Sequence, residues 1–298
     1  MKIHDQCIPC LISQVVKIAD LTHAQDRETL YKQVFSYMSQ LDFNKTNPEI
    51  AGETYDMLKK HIGNPDPYQE IRQYYNTLLL PMLPDFNHKI QTAPDPFRAA
   101  LQFATVANII DFSPAHSDDL VTTETVMTSF DQATALPFYI DHTQKLINDL
   151  KSAQKLLYLG DNCGEICLDK LLLEKIKALN PNLQIHFAVR GVPVVNDSTE
   201  ADAYSVGIDE YARIISNGDI SQGTVLPRTT PAFQAVYHNA DLVIAKGQAN
   251  YETLSERTDQ NIYFLLLTKC KVIADDIGAP QKALICLNHQ PAKEASHL

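Results

Sequence analysis

A short apolar run that stops at a glycine limits how this chain can fold. Leu156-Leu157-Tyr158-Leu159 has the length of a fully buried strand, and it ends at Gly160-Asp161-Asn162-Cys163-Gly164-Glu165. Beyond it, Ile166, Leu168, Leu171, Leu172, Ile176 and Leu179 recur at helical spacing. Strand, tight turn and helix in that order predict one step of an open parallel sheet. In such a sheet the turn opens onto the crevice beyond the strand carboxyl ends, where ligands bind. Asp161 and Asn162 place two oxygen-bearing side chains in that turn, a pairing suited to a hard divalent cation. The same residue types also cap helices, so this segment by itself leaves both roles open.

The same texture repeats after residue 150. Gln184–Val189, Arg213–Ile215 and Leu242–Ala245 read as further strands, and Ile262–Leu267 or Lys271–Ala274 as a fifth. Helices between them favour parallel pairing in a layered α/β domain. Right-handed crossovers then put every strand's carboxyl end on one edge. Arg190-Gly191 through Asn196-Asp197 follow the second strand, Ser216-Asn217-Gly218 the third, and Lys246-Gly247-Gln248-Ala249-Asn250-Tyr251 the fourth. A sheet without a site has no reason to gather Asp, Asn, Arg and Lys on one edge. Asp161, Asn162 and Asp197 together suit Mg²⁺ or Mn²⁺. Lys246 is either a point cation that holds a phosphate, helped by backbone N–H groups of the Gly247 turn, or a solvated surface lysine. Arg190 braces the Asn196-Asp197 loop or touches substrate, Asn196 is a ligand or, more readily, shapes that loop, and Asn217 is a further candidate for substrate contact.

Glycine usage separates the two halves, since only Gly52 and Gly63 precede residue 150. In the first half Cys10–Leu21, Arg27–Leu41, Pro48–Ile62, Asp66–Met82, Pro96–Ile110 and Asp131–Ala153 read as helices separated by proline breaks. No sheet is expected before about residue 155. The predicted organisation is a helical subdomain at 1–150 and an α/β core at 151–298, packed as one unit. Cys7 and Cys10 form a Cys-x-x-Cys pair at a helix start, where the helix dipole would lower a thiol pKa. Such a pair holds a metal, cycles through a disulfide or simply steadies the N-terminus. A zinc site wants four ligands, and Cys163 and Cys167 are the candidate partners. Asn108 and Asp111 frame an apolar pair at a predicted helix end and read more readily as a terminus than as a site.

A net charge of -11 argues against non-specific binding to nucleic acid or to an anionic membrane. Against that background a small anionic substrate needs a local cation or a metal. The start has no apolar core of signal-peptide length and no run approaches ~18 apolar residues, so a soluble cytoplasmic protein is expected. Six cysteines in 298 residues do not make a disulfide framework. There is no Walker loop, no dinucleotide glycine turn and no serine-hydrolase elbow.

Three ordered motifs, LGDNCGE at Leu159–Glu165, RGVPVVND at Arg190–Asp197 and AKGQANYETLSE at Ala245–Glu256, resemble the damage-control phosphatases, a metal-dependent family once labelled a domain of unknown function. The CIPC pair and ANIID at Ala107–Asp111 resemble its prokaryotic branch. The likeness spans nearly the whole chain. It implies an α/β fold: a Rossmann-like three-layer α/β/α core with a mostly parallel sheet, plus an N-terminal all-helical subdomain. It also implies a divalent metal (Mn, Co, Ni or Mg) on Asp161, Asn162 and Asp197. Substrate contacts implied by the resemblance are Glu165, Lys246, Gln248, Asn250 and Tyr251, with Lys269 facing the phosphate. The eukaryotic branch has Arg-Thr-x-Lys where this chain has Leu266-Leu267-Thr268-Lys269. The implied activity is hydrolysis of phosphate monoesters of small metabolites; on chemical grounds the expected route is metal-assisted attack of water or an aspartyl-phosphate on Asp161. Two rival readings are a methyltransferase using S-adenosylmethionine and a non-enzymic metal- or thiol-binding protein built on Cys7, Cys10, Cys163 and Cys167.

Overall fold

Alternation along the strands sets the layers of the molecule. The computed structural model describes residues 1–107 and 123–289. Among these, one sheet contains β1 (Phe138–Asp141), β2 (Lys155–Leu159), β3 (Gln184–Val189), β4 (Arg213–Ser216), β5 (Leu242–Lys246), β6 (Ile262–Leu267) and β7 (Leu284–His289). Their order across the sheet is β1-β7-β6-β5-β2-β3-β4. All neighbours run parallel except β6 and β7. Leu156, Tyr158, Phe187, Ile244, Tyr263 and Leu265 point to one face, and Leu157, Leu159, Val243, Ala245, Phe264 and Leu266 to the other. Because side chains alternate with period two, each buried strand feeds two cores.

The first face is covered by α4 (Gln69–Leu79), α5 (Leu83–Thr92), α6 (Pro96–Val106), α7 (Thr123–Thr134), α8 (Thr143–Ser152) and α9 (Glu165–Leu179). The second lies under α11 (Pro231–Asn239), α12 (Gly247–Leu254) and α13 (Lys271–Ile277), through Phe233, Tyr237, Tyr251, Leu254 and Ile273. This is the mixed α/β fold expected, with a mostly parallel sheet between helical layers. A short α10 (Glu200–Ser205) leads into β4. The N-terminal α1 (Cys7–Leu21), α2 (Arg27–Met38) and α3 (Asn47–Ile62) form a smaller core around Val15, Leu30, Tyr55 and Leu58. That core also takes in Val194 and Val195, so the first helices hold the loop leading to Asp197. Local signals fix α3 sharply: Thr46 and Glu49 make a capping box, and Gly63 ends the helix at φ +67.

Several boundaries differ from the sequence reading. The sheet begins before residue 155, because β1 pairs with β7. The helix expected over 131–153 is instead α7, β1 and α8, with Pro137 preceding the strand Phe138-Tyr139-Ile140-Asp141. Prolines 81 and 84 do not end helical structure, since each sits in the first turn of a new helical segment where its missing N–H costs nothing. Helix α1 starts at Cys7 rather than Cys10. Ile262–Leu267 is the strand and Lys271–Ala274 belongs to α13, while β7 was not anticipated. Asn108 and Asp111 lie outside the described residues. Among the described residues no helix is long and apolar enough to cross a membrane.

Candidate active site

The strand order reverses direction between β2 and β5: β3 and β4 extend to one side of β2, β5 and β6 to the other. Crevices form at such a reversal because the loops leaving the two central strands part in opposite directions. Here the loops are Gly160–Gly164 and the Lys246-Gly247 turn. They touch closely. A Cβ built on Gly247 would fall inside the Asp161 carboxylate, and Gly247 has φ +76, so only glycine fits on both counts.

Asp161, Asn162 and Asp197 come together as the spacing predicts. Asn162 and Asp197 form an antiparallel bridge, and Ser198 N donates to Asp161 O at 2.8 Å. Arg190 lies between the carboxylates, donating to Asp197 Oδ2 and, at 3.3 Å, to Asp161 Oδ1. It therefore braces the loop, one of the two roles open from sequence. Burial, then the charges of Glu165 and Asp197, push Asp161 well above the usual carboxylate range despite Arg190 and Lys269. Burial also raises Asp197 against the pull of Arg190. The amide nitrogen of Asn162 faces Asp161 Oδ2 at 2.9 Å and Glu165 Oε2 at 3.2 Å, and a flip would present its oxygen instead.

Lys246 is the largest departure from expectation. Its ammonium is fully buried and donates to Glu165 Oε1 (2.7 Å), Asp169 Oδ1 (2.5 Å) and Ala104 O (2.9 Å). Lysine has three donors, and all three are used inside the fold. Burial would lower its pKa, but Asp169 and Glu165 together hold it above the ordinary lysine range. Asp169 shares its Oδ1 with the Tyr158 hydroxyl at 2.7 Å, and burial leaves it raised to about 6. An exposed cation at this rim is Lys269. No hydrogen bond or ion pair engages its ammonium among the described residues, and its charge acts on Asp161. Its backbone N–H donates to Gln248 Oε1 at 2.6 Å, so Gln248 and Lys269 are held side by side.

The remaining expected contacts serve the scaffold. Asn250 binds Lys246 O (2.7 Å) and Gly160 O (3.4 Å) and accepts from Thr224 (2.8 Å), tying the two loops together. Asn217 Oδ1 accepts from Asp219 N at 3.0 Å within its own turn. Tyr251 packs on Phe264 and donates to Asp276 at 2.6 Å, between α12 and α13.

Three residues that the sequence reading passed over complete the site. Asp169 stands one helical turn after Glu165 on an otherwise apolar face, a spacing visible in sequence. Arg72 on α4 pairs with Asp202 (3.0 Å) and Asp66 (2.6 Å) and reaches Val195 O at 3.4 Å. Val195 takes φ +47, a conformation that costs a β-branched residue about 1–3 kcal/mol. The strain aims Asn196 and Asp197, and Arg72 with the N-terminal core holds it in place.

A divalent cation fits the donor chemistry. Buried together are Asp161, Glu165, Asp169, Asp197 and Asp202 against Arg72, Arg190 and Lys246, five carboxylates to three cations among the described residues. Ser198 Oγ, beside Asp197, is buried without a hydrogen-bond partner among the described residues. No three His, Cys, Asp or Glu side chains among the described residues form a ready metal cage. The candidate set is instead two carboxylates and an amide with Arg190 between them.

The cysteines separate into two groups. Cys163 and Cys167 are buried at the start of α9, where burial raises both thiols, Cys167 to about 12. Cys7 and Cys10 instead line a cavity with Cys270, so Cys163 and Cys167 are not their partners. Burial pushes the Cys7 thiol up to about 11, opposite to the lowering expected from the helix dipole.

These features define a layered α/β protein with an acidic crevice at the sheet's reversal point, joined to a helical N-terminal region. Residues 3–285 match the damage-control phosphatase ARMT1-like domain, and the chain belongs to that family. A damage-control phosphatase of Pyrococcus horikoshii is 30% identical across 97% of this chain and 99% of its own length. Another, from Archaeoglobus fulgidus, is 31% identical across 93% and 96%. The crystal structure of a DUF89 family protein from P. horikoshii superposes with a TM-score of 0.87 at 28% identity, covering 97% of this chain and 100% of that one.

Proposed function

We propose that this protein is a divalent-metal-dependent phosphatase of small phosphorylated metabolites. Its relatives' names supply the reaction class, and the buried excess of carboxylates at the β2–β5 crevice supports the metal. Asp161, Asp197 and the Asn162 amide oxygen would hold the cation, with Mn, Co, Ni or Mg as the candidates. When bound, it supplies Lewis-acid polarisation of the phosphoryl group. Arg190 keeps the two aspartates apart and aimed. Lys269 offers a charged donor to phosphate oxygens at the rim, and Gln248 positions it. Lys246 acts from behind, holding Glu165 beside Asn162.

The test uses metal-stripped protein and a panel of sugar phosphates and nucleotides, with each divalent ion added back in turn. Phosphate release is expected only with a metal. Asp161→Asn should reduce it by about 10²–10³-fold, the scale of losing one transition-state charge contact, while the melting temperature stays near wild type. Metal-independent release, or no release alongside saturable binding of S-adenosylmethionine, would reject the proposal.

A further inference from the structure

The Cys7–Cys10 pair has no part in the phosphatase reading, yet its surroundings are specific. A cavity of about 330 Å³ at the start of α1 is walled by Cys7, Cys10 and Cys270, with His4, Gln248 and Glu252 beside them. All six cysteines of the chain are thiols. Cys7 is the first residue of α1 and Cys10 lies one turn on, on the same helix face. Helical geometry sets their Cα atoms ~5 Å apart, inside the ~4.4–6.8 Å that a disulfide accepts. Exposure divides their labour. Cys10 is exposed and open to a reagent, whereas Cys7 is half-buried. A backbone hydrogen bond at His4 favours the Cys7 thiolate, but burial outweighs it. Burial accordingly holds Cys7 as the thiol.

We propose that Cys7 and Cys10 form a reversible dithiol–disulfide site that exchanges with low-molecular-weight disulfides. The Cys10 thiolate attacks one sulfur of a disulfide RSSR, forming a mixed disulfide and releasing RS⁻, which takes up the proton Cys10 gave up. Cys7, deprotonated as it attacks, then displaces the second RS⁻ from Cys10, and that thiolate leaves as RSH. The chain loses two thiol hydrogens and gains one S–S bond, and RSSR is reduced to two RSH. The rate rests on the exposed thiol, and the sheltered one closes the bond before a second reagent enters.

The experiment treats the full-length reduced protein with glutathione disulfide, then counts thiols and maps peptides by mass spectrometry without reduction. The expected result is loss of two of the six thiols, with Cys7 and Cys10 joined in one peptide and both restored by dithiothreitol. Cys7→Ser should stop at one glutathione on Cys10, and Cys10→Ser should abolish the reaction; circular dichroism verifies that each variant folds. An unchanged thiol count under conditions that oxidise free dithiothreitol would overturn the proposal. So would a bond from Cys270 to either residue, or one zinc per chain that protects both thiols and disappears in Cys10→Ser. These outcomes are independent of phosphate release, so the two proposals stand or fall separately.

Discussion

Two lysines close neighbouring strands of the same crevice, and their surroundings have little in common. Lys246, the last residue of β5, is sealed behind the acidic turn, and every donor it has meets a protein oxygen. Lys269, two residues past β6, stands exposed at the rim with only its backbone tied, to Gln248. The contrast teaches that a cation near a phosphate site can act in two distinct ways. One neutralises the wall so that carboxylates can be buried there; the other is left unencumbered to meet a ligand. Burying a charge is tolerable only where partners offset its lost hydration, so the inner lysine is committed before any substrate arrives.

The largest expected effect tests the inner position. Lys246→Met strands Glu165 and Asp169 without their cation, which should cost about 3–5 kcal/mol in urea unfolding. A loss below about 0.5 kcal/mol would erase the distinction between the two lysines.

A second test concerns Glu252, buried on α12 close behind the same turn. Burial, only partly opposed by Asn47 and the chain's amino group, raises its carboxyl from 4.5 to about 7. The folded state thus prefers the protonated acid. Its stabilising contribution is complete below about pH 4.5 and is lost as pH rises through about 7. The wild type should therefore lose on the order of 3 kcal/mol across that window relative to Glu252→Gln. Parallel unfolding curves at pH 5 and pH 8 for the two proteins would contradict this.

At the outer position, Lys269→Met should lower phosphate release about 10–10²-fold, the scale of one charged hydrogen bond, and change stability by less than about 0.5 kcal/mol. Equal damage to folding and turnover would place Lys269 with Lys246. The smallest effect belongs to Tyr251→Phe, which removes the bond to Asp276. It should cost about 1 kcal/mol of stability and leave kcat and KM unchanged, and a fall in kcat at constant stability would return Tyr251 to the crevice.

The carboxyl-terminal edge of the sheet could be read from sequence because each βα step is local: an apolar run, a glycine and a polar turn lie within a dozen residues. That locality placed Asp161, Asn162 and Asp197 on one crevice. What Lys246 does there depended on Asp169, a turn beyond Glu165 on a helix packed over the sheet, and no pattern within the Lys246 segment carries that fact. Cys270 joins Cys7 through tertiary packing across most of the chain, so cysteine spacing pointed wrongly to Cys163 and Cys167. Strand β1 escaped notice because four residues are too few to display alternation, and α5 because its prolines resemble a break until they are seen to occupy first turns.

The glycine at 247 carries one more implication. Its missing side chain is the space the Asp161 carboxylate occupies, and its backbone lies where L-residues rarely go. A saturation library at this codon, selected for folded and active protein, should return a single amino acid. The crevice can thus be retuned from its rim, but its floor has no smaller or larger version.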